Sequence, residues 1–442
     1  MCPSKERRRF TPGAGSAVVR RAVATAAVAV LLVLAGCAGG SPTAAPTGSG
    51  GAAPPDEYTL TERWTAGNSS VAGNHHAIAA GRVGDEAVVA IPIGGRSDAT
   101  GCKLLVVDGA GEERWTAEIP PAACTIHAVA DPTVADFVGD DHPEVIASST
   151  ESEAVAYDAL TGNVTFRYPL SNYGYTRPVV ADATGDGRAE LVVTDIDGTV
   201  AVVRPDGSTV WRRPLDAYSW SAPAVADFDT DGRPETVVGI GNGTVLAFNR
   251  RGQFAWTTDV GGAVTWSGDG DVDGDEAREF VAATESGLVA SVDGRNGTVE
   301  WTRLVGELAA VDDPADGDGD AVVEVYATNA TGTLFALDGR DGSLEWSRSL
   351  TDASTRMTPP PVVGDITGDG TSELVTVTND GFVRVLDPAD GRVLASYARD
   401  ASVYTHATLA DTDGDGAKEV YVMYGDGTAV ALTLQISNSS SS

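Results

Sequence analysis

From residue 58 onward, short apolar runs alternate with polar turns, and no stretch carries the roughly 3.6-residue period of an amphipathic helix. One unit shows the form. Pro178-Val179-Val180-Ala181 reads as a short apolar strand, an acidic loop follows, and Leu191-Val192-Val193 reads as a second strand. Thr199-Val200-Ala201-Val202-Val203 gives a third strand and Thr209-Val210-Trp211 a fourth. The same order returns from Ala226. Glutamates that close the acidic loops stand at Glu144, Glu190, Glu235, Glu279, Glu324, Glu373 and Glu419, spaced about 45 residues apart. A second marker, Gly followed four residues later by Trp or Phe, picks out Trp115, Phe166, Trp211, Trp256, Trp301 and Trp346. Two independent markers keep one period.

Four-stranded units of this length predict the blades of a β-propeller. Seven units carry an acidic loop, and a degenerate one begins near His76, which makes eight. The last unit stops after Thr428-Ala429-Val430-Ala431-Leu432, with no Trp strand behind it. An orphan strand, Glu62-Arg63-Trp64-Thr65, precedes the first unit. That N-terminal strand is expected to complete the last blade and close the ring, so that no sheet edge is left open. The expectation is therefore an all-β chain with an eight-bladed propeller over residues 58–434 and a disordered tail over 435–442. A seven-bladed ring with one decorated unit is the alternative.

Two families are resembled. Phe335-Ala336-Leu337-Asp338-Gly339-Arg340-Asp341-Gly342-Ser343-Leu344-Glu345-Trp346 resembles the repeat of PQQ-like, quinoprotein-type propellers, which implies eight blades. Asp182-Ala183-Thr184-Gly185-Asp186-Gly187-Arg188-Ala189-Glu190-Leu191 resembles the calcium loop of FG-GAP and VCBS repeats, with Glu in place of the usual closing Asp. Together the resemblances cover roughly residues 60–434.

The loop pattern itself suits calcium, which takes six to eight hard oxygen ligands in a flexible loop. It reads Asp227, Asp229, Asp231 and Glu235, then Asp271, Asp273, Asp275 and Glu279. It recurs as Asp316, Asp318, Asp320 and Glu324, and as Asp411, Asp413, Asp415 and Glu419. Thr takes the third position in the sets Asp182, Thr184, Asp186, Glu190 and Asp365, Thr367, Asp369, Glu373. The loop at Asp136 has Val138 there and is expected to bind weakly, and Gly84-Asp85-Glu86 is expected to be empty. These ions would be structural. The bland reading is that the loops are acidic turns in an acidic protein.

Charge sharpens the setting. The chain has 63 acidic residues against 30 basic ones, a formal net charge of −33, and lysine only at Lys5, Lys103 and Lys418. High salt screens such a surface, so a halophile, an archaeon among the candidates, is the expected source. A field of this sign repels phosphate backbones, and no nucleic-acid partner is expected. At the N-terminus, Arg7, Arg8 and Arg9, then Arg20 and Arg21, precede an apolar run from Ala22 to Gly36 that is too short to span a bilayer. The run ends in Leu34-Ala35-Gly36-Cys37, which resembles a lipobox with Cys37 as the lipidated residue, and the paired arginines resemble a twin-arginine signal. Residues 1–37 are thus expected as an export signal and 38–57 as a flexible tether. The propeller would sit on the extracellular face of the cell membrane, held by its lipid. Cys102 and Cys124 are left either to pair or to stay as free thiols.

Segments joining one blade's outer strand to the next blade's inner strand gather at one mouth of a propeller channel, and the acidic loops lie at the other end. His75, His76, His127 and His406 fall in or beside those segments, as do Tyr173, Tyr175, Arg177, Trp220, Trp266, Arg356 and Tyr404. The set suits a polar or sugar-like ligand, or a protein loop, although the same residues could simply pack blades together. The histidines could converge on zinc, but their spacing matches no zinc motif. His142, inside an acidic loop, is expected to offer only its backbone. No catalytic arrangement is legible. The expected function is a non-enzymatic binding or scaffold lipoprotein with structural calcium and an unknown protein or glycan partner. The alternatives are a lyase-like carbohydrate-active enzyme and a PQQ-dependent dehydrogenase. PQQ itself is not expected, because the adjacent paired cysteines frequent beside that cofactor do not occur.

Overall fold

The computed structural model describes residues 58–67, 71, 73–94, 101–124, 127–215, 217–351 and 357–436. The export signal, Cys37, the tether, Arg356 and residues 437–442 lie outside the described residues. No helix occurs among those described, and the strands form eight four-stranded antiparallel sheets. They are the blades of an eight-bladed β-propeller, as the repeat count predicts. Blade 3 is representative, with strands Val179–Ala181, Glu190–Thr194, Val200–Val203 and Thr209–Arg213 in that order.

Closure follows the expected route. Blade 8 consists of Thr408–Ala410, Glu419–Met423, Thr428–Ile436 and the N-terminal strand Tyr58–Gly67. The last two pair from Tyr58↔Ile436 to Gly67↔Thr428, with a bulge between Glu62 and Trp64. The final strand therefore runs on to Ile436, into the segment expected as a tail. The N-terminal strand covers the edge of Thr428–Ile436 and gives blade 8 the same four strands as the other seven, tying the first and last blades together.

Second strands such as Glu144–Ser148, Glu190–Thr194 and Glu235–Gly239 are buried at every residue. Both their faces are covered by neighbouring blades, which is why the sequence shows apolar runs there rather than strict alternation. Leu191, Val192 and Val193 are wholly buried, and each such side chain adds roughly 1.5–3 kcal/mol. Outer strands face solvent and alternate, as in Val164–Pro169.

The Gly-to-Trp marker has a structural cause. Each Trp packs on the Gly of the following blade's marker, not on its own. A Cβ at Gly111, Gly162, Gly252, Gly297, Gly342 or Gly391 would lie 2.5–2.8 Å from the ring of Trp64, Trp115, Trp211, Trp256, Trp301 or Trp346 respectively. Four of these indole Nε1–H groups donate to the next blade's backbone, Trp115 to Ala159 O at 2.9 Å, Trp256 to Gly294 O at 2.7 Å, Trp301 to Gly339 O at 2.7 Å and Trp346 to Pro388 O at 2.9 Å. Trp64 does the same across the closure, to Gly109 O at 3.1 Å. The period in the sequence is thus the period of a blade-to-blade bolt.

Cys102 and Cys124 form a disulfide, with their Cα atoms 5.6 Å apart. It ties the start of the third strand of blade 1 to the segment after Glu113–Glu118. Cross-linking residues 22 apart in sequence restricts the unfolded chain by about 3 kcal/mol. A Cys102→Ser, Cys124→Ser variant is expected to lose about that much stability in a urea titration. An unchanged midpoint would contradict this.

Candidate functional site

The acidic loops share one geometry. The first Asp of each accepts a hydrogen bond through Oδ2 from the backbone N–H five residues on. The pairs are Asp136–Asp141 at 3.0 Å, Asp182–Gly187 at 2.7 Å, Asp227–Gly232 at 2.9 Å, Asp271–Glu276 at 3.1 Å, Asp316–Ala321 at 3.1 Å, Asp365–Gly370 at 2.8 Å and Asp411–Gly416 at 3.2 Å. In all seven the donor residue has positive φ, from 64° at Asp141 to 95° at Gly416. This is the sharp turn that a calcium loop needs at its sixth position, where Gly is preferred because a Cβ strains the left-handed backbone. Asp141, Glu276 and Ala321 hold it without that relief.

The closing glutamates are buried beneath the loops. Glu235, Glu279, Glu324, Glu373 and Glu419 each take the N–H of the residue after the first Asp, as in Val272 to Glu279 Oε2 at 2.8 Å. The other oxygen of Glu279 and of Glu324, Oε1, is buried without a hydrogen-bond partner, as is Oε2 of Glu190. Burial, then the neighbouring carboxylates, pushes Glu279 up to about 8 and Glu235 and Glu324 to about 7. Arg204 stands 3.8 Å from Glu190 Oε1 and Arg295 pairs with Asp275, yet neither reaches the stranded glutamate oxygen, and a divalent cation fits that deficit.

The loops are not equal. Oxygens from Asp227, Asp229 and Glu235, from Asp271, Asp273 and Glu279, and from Asp316, Asp318, Asp320 and Glu324 lie within 4.8 Å of one another. Asp411, Asp413 and Asp415 gather likewise, without Glu419 in the set. The Arg63 guanidinium stands 2.8 Å from both Asp413 Oδ2 and Glu419 Oε1, so the closing strand brings its own cation to blade 8. In the threonine loops, Thr184 Oγ1 donates to Glu190 Oε1 and Thr367 Oγ1 to Asp365 Oδ1, both at 3.3 Å. Val138 is 38% exposed and offers no oxygen, and His142 donates its backbone N–H to Asp140.

At the other end of the short inner strands, the blade-joining segments enclose a cavity of about 620 Å³. Its walls include His75, His76, Tyr175, Arg177, Trp220, Trp266, Tyr404 and His406 from the set expected at the mouth. His127 lies just beneath, 1% exposed, with Tyr173 against its ring at 5.6 Å. Trp266 meets His406 edge-on at 6.0 Å, and Trp220 lies against Tyr218.

Asp131 and Asp312 escaped the reading of the sequence. Asp131 accepts from His76 Nδ1 at 2.7 Å and from the Ala77 N–H at 2.9 Å, and its second oxygen is 3.8 Å from His406 Nε2. Burial alone would raise its pKa, but His406 and His76 beside it hold it well below the usual carboxylate range. Burial works against a charge on His406 too, yet Asp131 and then Asp312 keep its pKa above the ordinary value. A signal for Asp131 existed in the repeat. The position two residues before the inner strand supplies Asp131, Arg177, Ala222, Leu308 and His406, all of which line the cavity. The result is a concave site with aromatic and aliphatic walls and paired charges of both signs, suited to holding a polar ligand or an inserted loop.

Among known proteins, the family model described as outer membrane protein assembly factor BamB matches residues 196–370 and 324–438, together more than half of the chain. No curated protein matches. Among solved structures, BamB from Moraxella catarrhalis is similar with a TM-score of 0.57 at 17% identity, over 85% of this chain and 98% of that one. The V. cholerae biofilm matrix protein Bap1 is similar with a TM-score of 0.64 at 15% identity, over 87% and 92%. The quinohemoprotein alcohol dehydrogenase from Comamonas testosteroni gives 0.60 at 11% identity, over 85% and 76%. Identities this low speak for the propeller fold alone. The family model, by contrast, reads the repeat itself, and on that match the chain belongs to the BamB family of PQQ-like β-propellers.

Proposed function

We propose that the chain is an exported, lipid-anchored scaffold that holds a protein or glycan partner at the mouth of its channel, with calcium ions bracing the opposite end. The observation that carries this reading is the mouth itself. A rigid disc, bolted blade to blade, presents one deep cavity whose lining is aromatic, histidine and charged. Membership in a family described as an assembly factor supports a scaffold over an enzyme. The stranded glutamate oxygens support calcium. Residues 1–37 support export, with Cys37 as the lipid attachment point.

Two substitutions test the reading in cells. Cys37→Ala in the full chain is expected to release the protein from the membrane fraction, and unchanged retention would contradict the anchor. A photo-crosslinking residue at Trp220, which is 42% exposed at the mouth, is expected to trap a discrete partner. The same group at Asp390, in an exposed turn at the other end of its blade, is expected to trap none. Equal labelling from both ends would contradict a mouth-specific scaffold.

A further inference from the structure

Three imidazoles meet at the mouth from two blade-joining segments. The rings of His75 and His76 are 4.6 Å apart, those of His76 and His127 are 4.7 Å apart, and those of His75 and His127 are 6.0 Å apart. Each has one nitrogen held by an oxygen that can only accept. His75 Nδ1 lies 2.9 Å from Gly73 O, His76 Nδ1 lies 2.7 Å from Asp131 Oδ1, and His127 Nε2 lies 3.0 Å from Gly174 O. Those nitrogens must therefore carry the proton, which fixes the tautomer and leaves His75 Nε2, His76 Nε2 and His127 Nδ1 with lone pairs. His76 Nε2 and His127 Nδ1 are buried without any partner. Leaving two such atoms stranded is costly unless something binds them.

We propose that His75, His76 and His127 form a three-nitrogen centre for a zinc-class divalent ion, with its fourth position open to the channel mouth. One nitrogen from each ring already lies within 4.8 Å of the others. A tetrahedral ion with metal–nitrogen bonds of about 2.1 Å needs them about 3.4 Å apart, so the rings must draw together by up to about 1.4 Å when it binds. The outer shell is of the kind such centres use, with Asp131 orienting His76 and backbone carbonyls orienting the other two. Tyr175 packs on all three rings, 5.1–5.9 Å away, and roofs the site on one side. The remaining side faces the cavity, where a water or a partner's carboxylate can complete the shell. This centre does not depend on the acidic loops. The three-residue inner strand Thr133–Ala135 separates it from the loop at Asp136 by about 10 Å. Nitrogen ligands also select a softer ion than the all-oxygen loops.

The test uses the full chain, stripped with EDTA and returned to millimolar calcium so that oxygen sites are filled. Zn2+ is then titrated against a chromophoric chelator, and Co2+ is added in parallel for its visible spectrum. One Zn2+ per chain is expected, with the intense absorption of tetrahedral Co2+. His76→Gln and His127→Gln are each expected to weaken Zn2+ at least 100-fold. If either buried variant fails to fold, His75→Gln, at the least buried of the three, replaces it with a loss of at least tenfold. No Zn2+ uptake above the calcium-saturated background would overturn the proposal. So would a weak, six-coordinate Co2+ spectrum, or Zn2+ binding that survives the substitutions. Loss of this centre with the mouth crosslink intact would leave the scaffold reading standing.

Discussion

In EGTA the protein is expected to melt far below its melting temperature in millimolar calcium, and calcium returned in excess is expected to restore it. An ion that binds only the folded state stabilises it by about 2.7 kcal/mol at a free concentration 100 times its Kd. Three loops bring their carboxylates together with the closing Glu, and a fourth does so without it. Acting independently, four sites would add about 11 kcal/mol, comparable to the whole stability of an ordinary domain. Chelation also leaves unneutralised the carboxylates that burial, and then their neighbours, have already raised at Glu235, Glu279 and Glu324. A variant with Asp227→Ala, Asp229→Ala and Asp231→Ala is expected to lose one increment and leave the others. The blade 8 loop should contribute least, because Arg63 already neutralises Asp413 and Glu419. A melting temperature indifferent to calcium would return all seven loops to solvated turns.

Trp301→Ala is expected to cost about 3–5 kcal/mol, the range for removing a large buried aromatic. It opens a void at the bolt between two blades and strands Gly339 O, which Trp301 now satisfies at 2.7 Å. Gly342→Ala attacks the same joint from the other blade. Its Cβ would meet the Trp301 ring at 2.5 Å, on a backbone with φ of +68°. Left-handed strain of about 1–2 kcal/mol and overpacking of about 1–3 kcal/mol give an expected loss of roughly 2–5 kcal/mol. A finer comparison separates packing from hydrogen bonding. Trp211 Nε1 has no partner, so Trp211→Phe should cost less than Trp301→Phe, which orphans a carbonyl. Urea midpoints measured in calcium decide these. Equal losses for the two Phe variants would remove the hydrogen bond from the account.

The fold was legible because a propeller is written in its period. The glutamates that close the acidic loops and the Trp strands mark one interval, and the missing fourth strand after Leu432 finds its counterpart at Trp64. What the period could not convey was partnership across blades. Trp301 and Gly297 look like one motif in the sequence, yet Trp301 packs on Gly342 and Gly297 receives Trp256. The same limit applied at the mouth. His76 and His127 sit on the joining segments either side of blade 1, and only the folded blade brings a nitrogen of each within 4.8 Å. Asp131 was readable in principle, since its place before the inner strand is shared with Arg177 and His406, but its chemistry comes from neighbours distant in sequence. Arg63 is the clearest case. In the sequence it belongs to an orphan strand, and in the fold it is the counter-ion of a loop some 350 residues away.

The most direct test is a crystal grown in calcium and examined at a wavelength where calcium scatters anomalously. Peaks are expected inside the loops at Asp227, Asp271 and Asp316, each bonded to the closing Glu235, Glu279 or Glu324 carboxylate. Loops that keep this shape with no anomalous peak in any of the three would contradict the calcium assignment.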